Sequence, residues 1–392
     1  MPPTADPPSE APATRAPRPG ARRGARLLGR AAAVIALLHL YIGWRLLPWL
    51  PAAVRPAGAA WLVLSAALIP AAFVARSRLG GRWDALAWAG FFALGLFSST
   101  LVLTLARDLV LLLPDTRRMA GPSAIGVPAL ALLVSLGGLA NARRVARVVD
   151  VVVAIPGLPR ALDGFTIAQL SDIHVGPTIK APQVRAIVAR VNALRPDLIA
   201  VTGDVVDGSV AQLRAHTAPL ADLRARHGAW LVTGNHEYYA GAHAWIAEFE
   251  RLGLHCLINA HVVLVHDGAL LVLAGVTDAQ AQAFDPGHRS DAFKAIDGAP
   301  ENLPRILLAH QPRALHEAAR AGFDLQLSGH THGGQFWPWN LFVGLQQPLT
   351  AGLHRVGALQ VYVSRGTGYW GPPKRFGAPS EITRIRLTSA PR

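Results

Sequence analysis

The sequence predicts an α/β domain preceded by an all-α transmembrane region of about four helices. Three observations carry this. Hydrophobic residues make up 51% of the 392 and charged residues only 16%, against roughly 25% charged in soluble domains. The apolar excess is concentrated in four long runs before residue 145. Beyond residue 150, short apolar runs alternate with amphipathic stretches and end in polar residues, the pattern of strands feeding a site along a sheet edge. Mean hydropathy of +0.30 rules out a disordered or collagen-like chain. The single cysteine, Cys256, excludes an internal disulfide.

Residues 1–30 read as a disordered, basic N-terminal segment rich in Pro, Ala and Arg. A helical membrane region follows over 31–145. Its apolar runs are Ala31 to Leu50, Gly58 to Val74, Ala85 to Ala106 and Ser123 to Leu139. Each is close to the roughly 20 residues needed to cross the hydrocarbon. Arginines crowd the N-terminal flank, the second-to-third loop (Arg76, Arg78, Arg82) and the stretch after the fourth run (Arg143, Arg144, Arg147). The first-to-second loop has only Arg55, and the third-to-fourth offsets Arg107, Arg117 and Arg118 with Asp108 and Asp115. The positive-inside rule then predicts an integral cell-membrane protein with both termini and the second half in the cytoplasm. Arg22-Arg23 also fits a twin-arginine export signal, against which the three further runs weigh. His39 and Arg45 in the first run are too few polar groups for an ion pathway.

The net charge of +14 does not predict a nucleic-acid partner. Residues 1–150 hold +11 of it and residues 151–392 only +3, so the excess flanks the membrane runs, not a folded basic face. Histidine is distributed the other way: fourteen of fifteen follow residue 150.

Within the domain expected over 150–392, Phe165 to Leu170 reads as a buried strand ending in Asp172-x-His174, two residues on one face. A helix over Ala181 to Leu194 leads to the strand Asp197 to Thr202 and then Gly203-Asp204-x-x-Asp207. The strand Ala229 to Thr233 delivers Gly234-Asn235-His236-Glu237. A hairpin pairs His261 to His266 with Leu270 to Val276 around Asp267-Gly268. Ile306 to Ala309 ends in His310, and Leu325 to Leu327 in Gly329-His330-x-His332. Three carboxylates, one amide and five imidazoles thus follow five strands. Buried without compensation they would each cost several kcal/mol, a cost that divalent cations offset. Oxygen and nitrogen donors without a thiolate suit Mn, Fe or Zn.

The order of these motifs resembles the calcineurin-like metallophosphoesterase superfamily over about residues 150–390. Leu158-Pro159 through Gly176 and Ser364-Arg365-Gly366 through Ile382 are similar to its membrane-associated bacterial branch. The resemblance implies a four-layer α/β/β/α sandwich with two divalent metal ions at the strand ends. Asp172, His174 and His332 would hold the first, Asn235, His310 and His330 the second, and Asp204 would bridge them. It further implies a phosphoesterase in which a hydroxide shared by the metals attacks phosphorus in line. His236, next to a ligand, is placed to protonate the leaving oxygen, and Asp207 to orient its imidazole. The anchor favours a lipid-linked phosphate or pyrophosphate over a soluble phosphate ester without excluding the latter. The alternative is a non-catalytic, metal-binding scaffold on the same fold. Glu237 reads as a local cap, and Tyr238, Tyr239 and Trp245 as packing or a substrate wall. Arg365 and Arg375 read equally as phosphate or headgroup ligands and as structural residues. Gly333-Gly334 is expected to let backbone pass close to the metals.

Overall fold

The computed structural model describes residues 19–78 and 80–390. Four helices open the chain: α1 (Pro19–Leu46), α2 (Arg55–Arg76), α3 (Arg82–Val110) and α4 (Ala120–Arg143). All four include a stretch long and apolar enough to cross a membrane. The disorder expected through residue 30 does not hold over its second half, because α1 already starts at Pro19; residues 1–18 lie outside the described residues. Alanine, leucine and arginine there are good helix formers, which the proline-rich composition upstream obscures. At 1.5 Å per residue α3 is about 43 Å long, more than a bilayer's roughly 30 Å hydrocarbon core. The α2–α3 hairpin therefore reaches past the hydrocarbon toward the second half of the chain.

His39, Arg45, Arg107 and Asp108 are paired inside the helical region. His39 lies 3.0 Å from the Ser65 hydroxyl and stacks on Phe97. Arg45 donates to Asp108 at 2.6 Å, and Arg107 contacts the other oxygen of that carboxylate at 3.2 Å. Their mutual pairing accounts for their presence among apolar side chains.

Twelve strands follow: β1 (Arg147–Pro156), β2 (Thr166–Leu170), β3 (Leu198–Thr202), β4 (Ala229–Val232), β5 (Leu254–Cys256), β6 (Ala260–His266), β7 (Ala269–Gly275), β8 (Arg305–Leu308), β9 (Leu325–Ser328), β10 (Gly352–Val356), β11 (Leu359–Val363) and β12 (Glu381–Ala390). They form two six-stranded sheets, ordered β1-β12-β2-β3-β4-β5 and β10-β11-β9-β8-β7-β6. The run β2-β3-β4 is parallel, and so is β7-β8-β9-β11.

Alternation along each strand sets the layers. On β3, Leu198 and Ala200 face the second sheet and meet Leu273, Ile306 and Leu327. Ile199 and Val201 face outward onto Val184, Ile187, Val188 and Val191 of α5 (Ala181–Ala193). The outer face of the second sheet carries α9 (Ala292–Ala295) and α10 (Leu315–Arg320). Helices α6 (Val210–Thr217) and α8 (Ala242–Arg251) complete the first outer layer through Leu213, Trp245 and Phe249, and the short α7 (Asn235–Ala240) leads from β4 into α8. The result is the α/β/β/α sandwich, with the C-terminal ends of the parallel strands of both sheets opening at one edge.

Candidate metal centre

Every site residue expected from the sequence lies at that edge. Asp172 and His174 follow β2, Asp204 and Asp207 follow β3, and Asn235 and His236 begin α7 after β4. His310 follows β8, while His330 and His332 follow β9. Asp172, His174, Asp204, His330 and His332 have φ of 53°, 55°, 52°, 70° and 52°. The left-handed region is uncommon for residues with a side chain, and such strained positions cost of order 1–3 kcal/mol each. Five in one site require the surroundings to hold them. The Asp172 amide donates to Gly203 at 3.0 Å and the His174 amide to Asp204 at 3.1 Å. Buried Glu237 accepts from the amides of Gly234, Asp204 and Val205 at 2.7, 2.9 and 2.8 Å. Gly234 is required here, since a Cβ would stand 2.2 Å from Asp204 Oδ1.

Two groups of ligand atoms result. In the first, His332 Nε2 is 3.1 Å from His174 Nε2 and 3.4 Å from Asp172 Oδ1. In the second, His310 Nε2 is 3.1 Å from both Asp204 Oδ2 and His330 Nδ1. Asp204 Oδ2 also lies 3.9 Å from His174 Nε2 and 3.9 Å from His236 Nε2, so this carboxylate sits between the groups. Thr202 carbonyl oxygen accepts from His310 Nδ1 at 2.7 Å, which aims its Nε2 at a carboxylate and another imidazole. Asn235 Oδ1 is buried with no hydrogen-bond partner. Converging lone pairs and an orphaned amide oxygen fit cations, which accept from all of them at once.

The electrostatics agree. Burial alone would raise Asp204, but the imidazoles of His310 and His236 hold it well below the usual carboxylate range. It is an anion at any working pH. Asp207 Oδ1 is shared by His236 Nδ1 at 2.5 Å and His174 Nδ1 at 3.1 Å, and both rings thereby turn Nε2 toward the site. Burial disfavours a charged His236, but Asp204 and Asp207 outweigh it and push its pKa up to about 9.

Residues 165–334 match the sequence profile of the calcineurin-like phosphoesterases. An uncharacterized metallophosphoesterase of Aquifex aeolicus (strain VF5) is 30% identical over 232 residues, 59% of this chain and 87% of that protein. The chain belongs to the calcineurin-like phosphoesterase family. The transmembrane protein with metallophosphoesterase domain of Bos taurus is 41% identical over 290 residues, 71% of this chain. Its Danio rerio counterpart is 40% identical over 261 residues, 64% of this chain. The chain covers 65% and 60% of the length of these two relatives. The Bos taurus match is longer than the phosphoesterase domain alone and extends into the helical half.

Outside the calcineurin-like motifs, the structure separates the remaining candidates. Arg375 is fully buried, donating to the carbonyls of His332 at 2.8 Å and Gly368 at 3.0 Å. It supports the loop bearing His332 and cannot reach a headgroup. Arg365 is paired with Glu381 at 2.9 Å. Trp245 is buried and donates to Gly208 carbonyl at 2.9 Å, which makes it packing. Buried Tyr238 is turned toward His288, whereas exposed Tyr239 and Trp370 lie against the His236 ring and flank the site's mouth. The reading of Gly333-Gly334 needs correction. A Cβ on Gly334 would stand 2.2 Å from Asn340 Cα, so the close approach is to the following loop, not to the metals. Arg76, which the sequence places only among the loop arginines, brings its guanidinium to 4.0 Å from Asp207 Oδ1; nothing local to Val74-Ala75-Arg76 signals it.

Glu237→Ala leaves four buried amides, of Gly234, Asp204, Val205 and Val206, without this acceptor. A buried donor left unsatisfied costs about 1–3 kcal/mol. A thermal melt is expected to fall by several degrees, with metal content lowered in parallel; an unchanged melt would show that Glu237 does not hold this loop.

Proposed function

We propose that the chain is a membrane-anchored phosphoesterase that acts with two divalent cations, Mn, Fe or Zn. Asp172, His174 and His332 would hold one, Asn235, His310 and His330 the other, and Asp204 would be shared. The orphaned, buried Asn235 Oδ1 carries this reading, because nothing among the described residues satisfies it. When bound, such a pair supplies Lewis acidity that lowers the pKa of water and neutralises phosphoryl charge. The chain's own residues do the rest. His236, protonated at neutral pH and close to the mouth, gives its proton to the leaving oxygen of a phosphomonoester or diester. Asp207 fixes that ring, and neutral Asn235 keeps the total ligand charge low.

The domain sits on the side of the α2–α3 tip and the end of α4, the side rich in arginine. This supports a cytoplasmic site at the inner face of the cell membrane. That position favours a lipid-linked phosphate or pyrophosphate as substrate. Purified full-length protein loaded with Mn is expected to hydrolyse bis(p-nitrophenyl) phosphate, and chelation to reduce the rate at least about a hundredfold. A rate indifferent to chelation would end the metal-dependent reading. Comparing a polyprenyl diphosphate with a cyclic nucleotide tests the lipid preference: faster turnover of the cyclic nucleotide would remove it.

A further inference from the structure

One cavity beside His236, next to the metal centre, is walled by both halves of the chain. The tip of the α2–α3 hairpin is pinned to the phosphoesterase domain at two points. Gln212 donates to Ser77 carbonyl at 3.2 Å, and Lys180 pairs with Asp84 at 3.0 Å. Between the end of α2 and the domain lies a cavity of about 290 Å³. Phe73, Arg76 and Ser77 line it from the membrane helix, and Asp207, His236 and Tyr239 from the site.

Arg76 is the unusual member. Its nearest carboxylate oxygen, Asp207 Oδ1, is 4.0 Å away, beyond hydrogen-bond reach, and already receives two imidazoles. Among the described residues the Arg76 guanidinium makes no hydrogen bond, although the side chain is only 31% exposed. The other arginines of the tip are engaged differently: Arg78 and Arg82 lie over the Trp83 ring at 4.5 and 5.1 Å. A guanidinium has five donors, no acceptor and a planar fork that matches phosphate oxygens. Held in a cavity that contains His236, with its donors unused, it is placed for an oxyanion.

We propose that Arg76, carried by a membrane helix, binds the non-reacting oxygens of the phosphate group, making this cavity an anion subsite that the phosphoesterase domain cannot complete alone. The inference rests on the phosphoesterase reading above, and a binding measurement separates the two. Inorganic phosphate is titrated calorimetrically into the full-length, Mn-loaded protein, and metal content and thermal midpoint are measured on the same samples. Arg76→Ala is expected to weaken phosphate binding roughly tenfold or more and to raise KM for bis(p-nitrophenyl) phosphate in proportion. Metal content and thermal midpoint should stay at wild-type values. Arg76→Lys, which keeps the charge but not the fork, should fall between, and Arg78→Ala should match the wild type. Equal phosphate affinity in wild type and Arg76→Ala overturns the proposal and leaves Arg76 as a distant counter-charge to Asp207. So does a loss that appears only together with lost metal or a lowered midpoint. The expected affinity ratio without turnover of any phosphate ester would support the subsite and sink the enzymatic reading instead.

Discussion

Asp204→Asn is expected to lower hydrolysis at least about a thousandfold, or about 4 kcal/mol of transition-state stabilisation, and to reduce bound metal from two ions to one or fewer. The substitution changes almost no volume, so its effect is electronic. Asp204 Oδ2 lies 3.1 Å from His310 Nε2 and 3.9 Å from both His174 and His236, among the described residues the only carboxylate within 4.0 Å of imidazoles in both ligand groups. Oδ1 accepts the His236 amide at 2.9 Å, fixing the direction of the other oxygen. An amide presents one oxygen instead of two and no net charge, so it can neither join two cations nor balance them. Metal analysis and a rate on the same sample decide the matter. Wild-type metal content with a wild-type rate would remove Asp204 from the centre. Lost metal in a chain that never showed turnover would favour the non-catalytic scaffold.

The strands that carry the site were legible because each apolar run stops at a ligand-type polar residue. The run Leu198-Ile199-Ala200-Val201 stops before Gly203-Asp204, and the boundary falls within a residue of where β3 ends. The alternation that assigns Ile199 to one core and Ala200 to the other was not legible, because a strand buried on both faces shows no polar phase. The strands beyond the site were harder. In β12 the sequence Ile382-Thr383-Arg384-Ile385-Arg386-Leu387 interleaves apolar and charged residues, and no strand is expected there. Yet it pairs with β1 over ten residues and with β2 on its other side, and Ile382, Ile385 and Leu387 are buried. Nor does residue type foretell the left-handed backbone at Asp172, His174, Asp204, His330 and His332. That conformation is imposed by tertiary contacts such as the Glu237 cap and the His330 amide on the Asp172 carboxylate. Arg76 and Arg375 illustrate the same limit. One was passed over as a membrane-edge charge and lines the site; the other was weighed as a phosphate ligand and is sealed beneath His332. Which arginine faces a cavity depends on partners distant in sequence, Asp207 for Arg76 and His332 for Arg375.

His236→Asn is expected to reduce kcat by a hundred- to ten-thousandfold, the range that general acid catalysis supplies, while KM and metal content hold. The ring is not among the proposed ligands, so its loss should spare the metals. Its pH behaviour gives an independent check with a definite sign. The proton donor must be charged to act, so the rate falls as pH rises through its pKa. Asp204 and Asp207 push that pKa up to about 9; bound cations oppose them, placing the alkaline limb at or below that value. Asp207→Asn removes one of the two carboxylates and the short hydrogen bond from Nδ1. The limb must then move to lower pH, and the measurement is made at saturating Mn because His174 also leans on Asp207. A limb that stays in place in Asp207→Asn, or vanishes only when metal is lost, would mean that the proton comes from water rather than from His236.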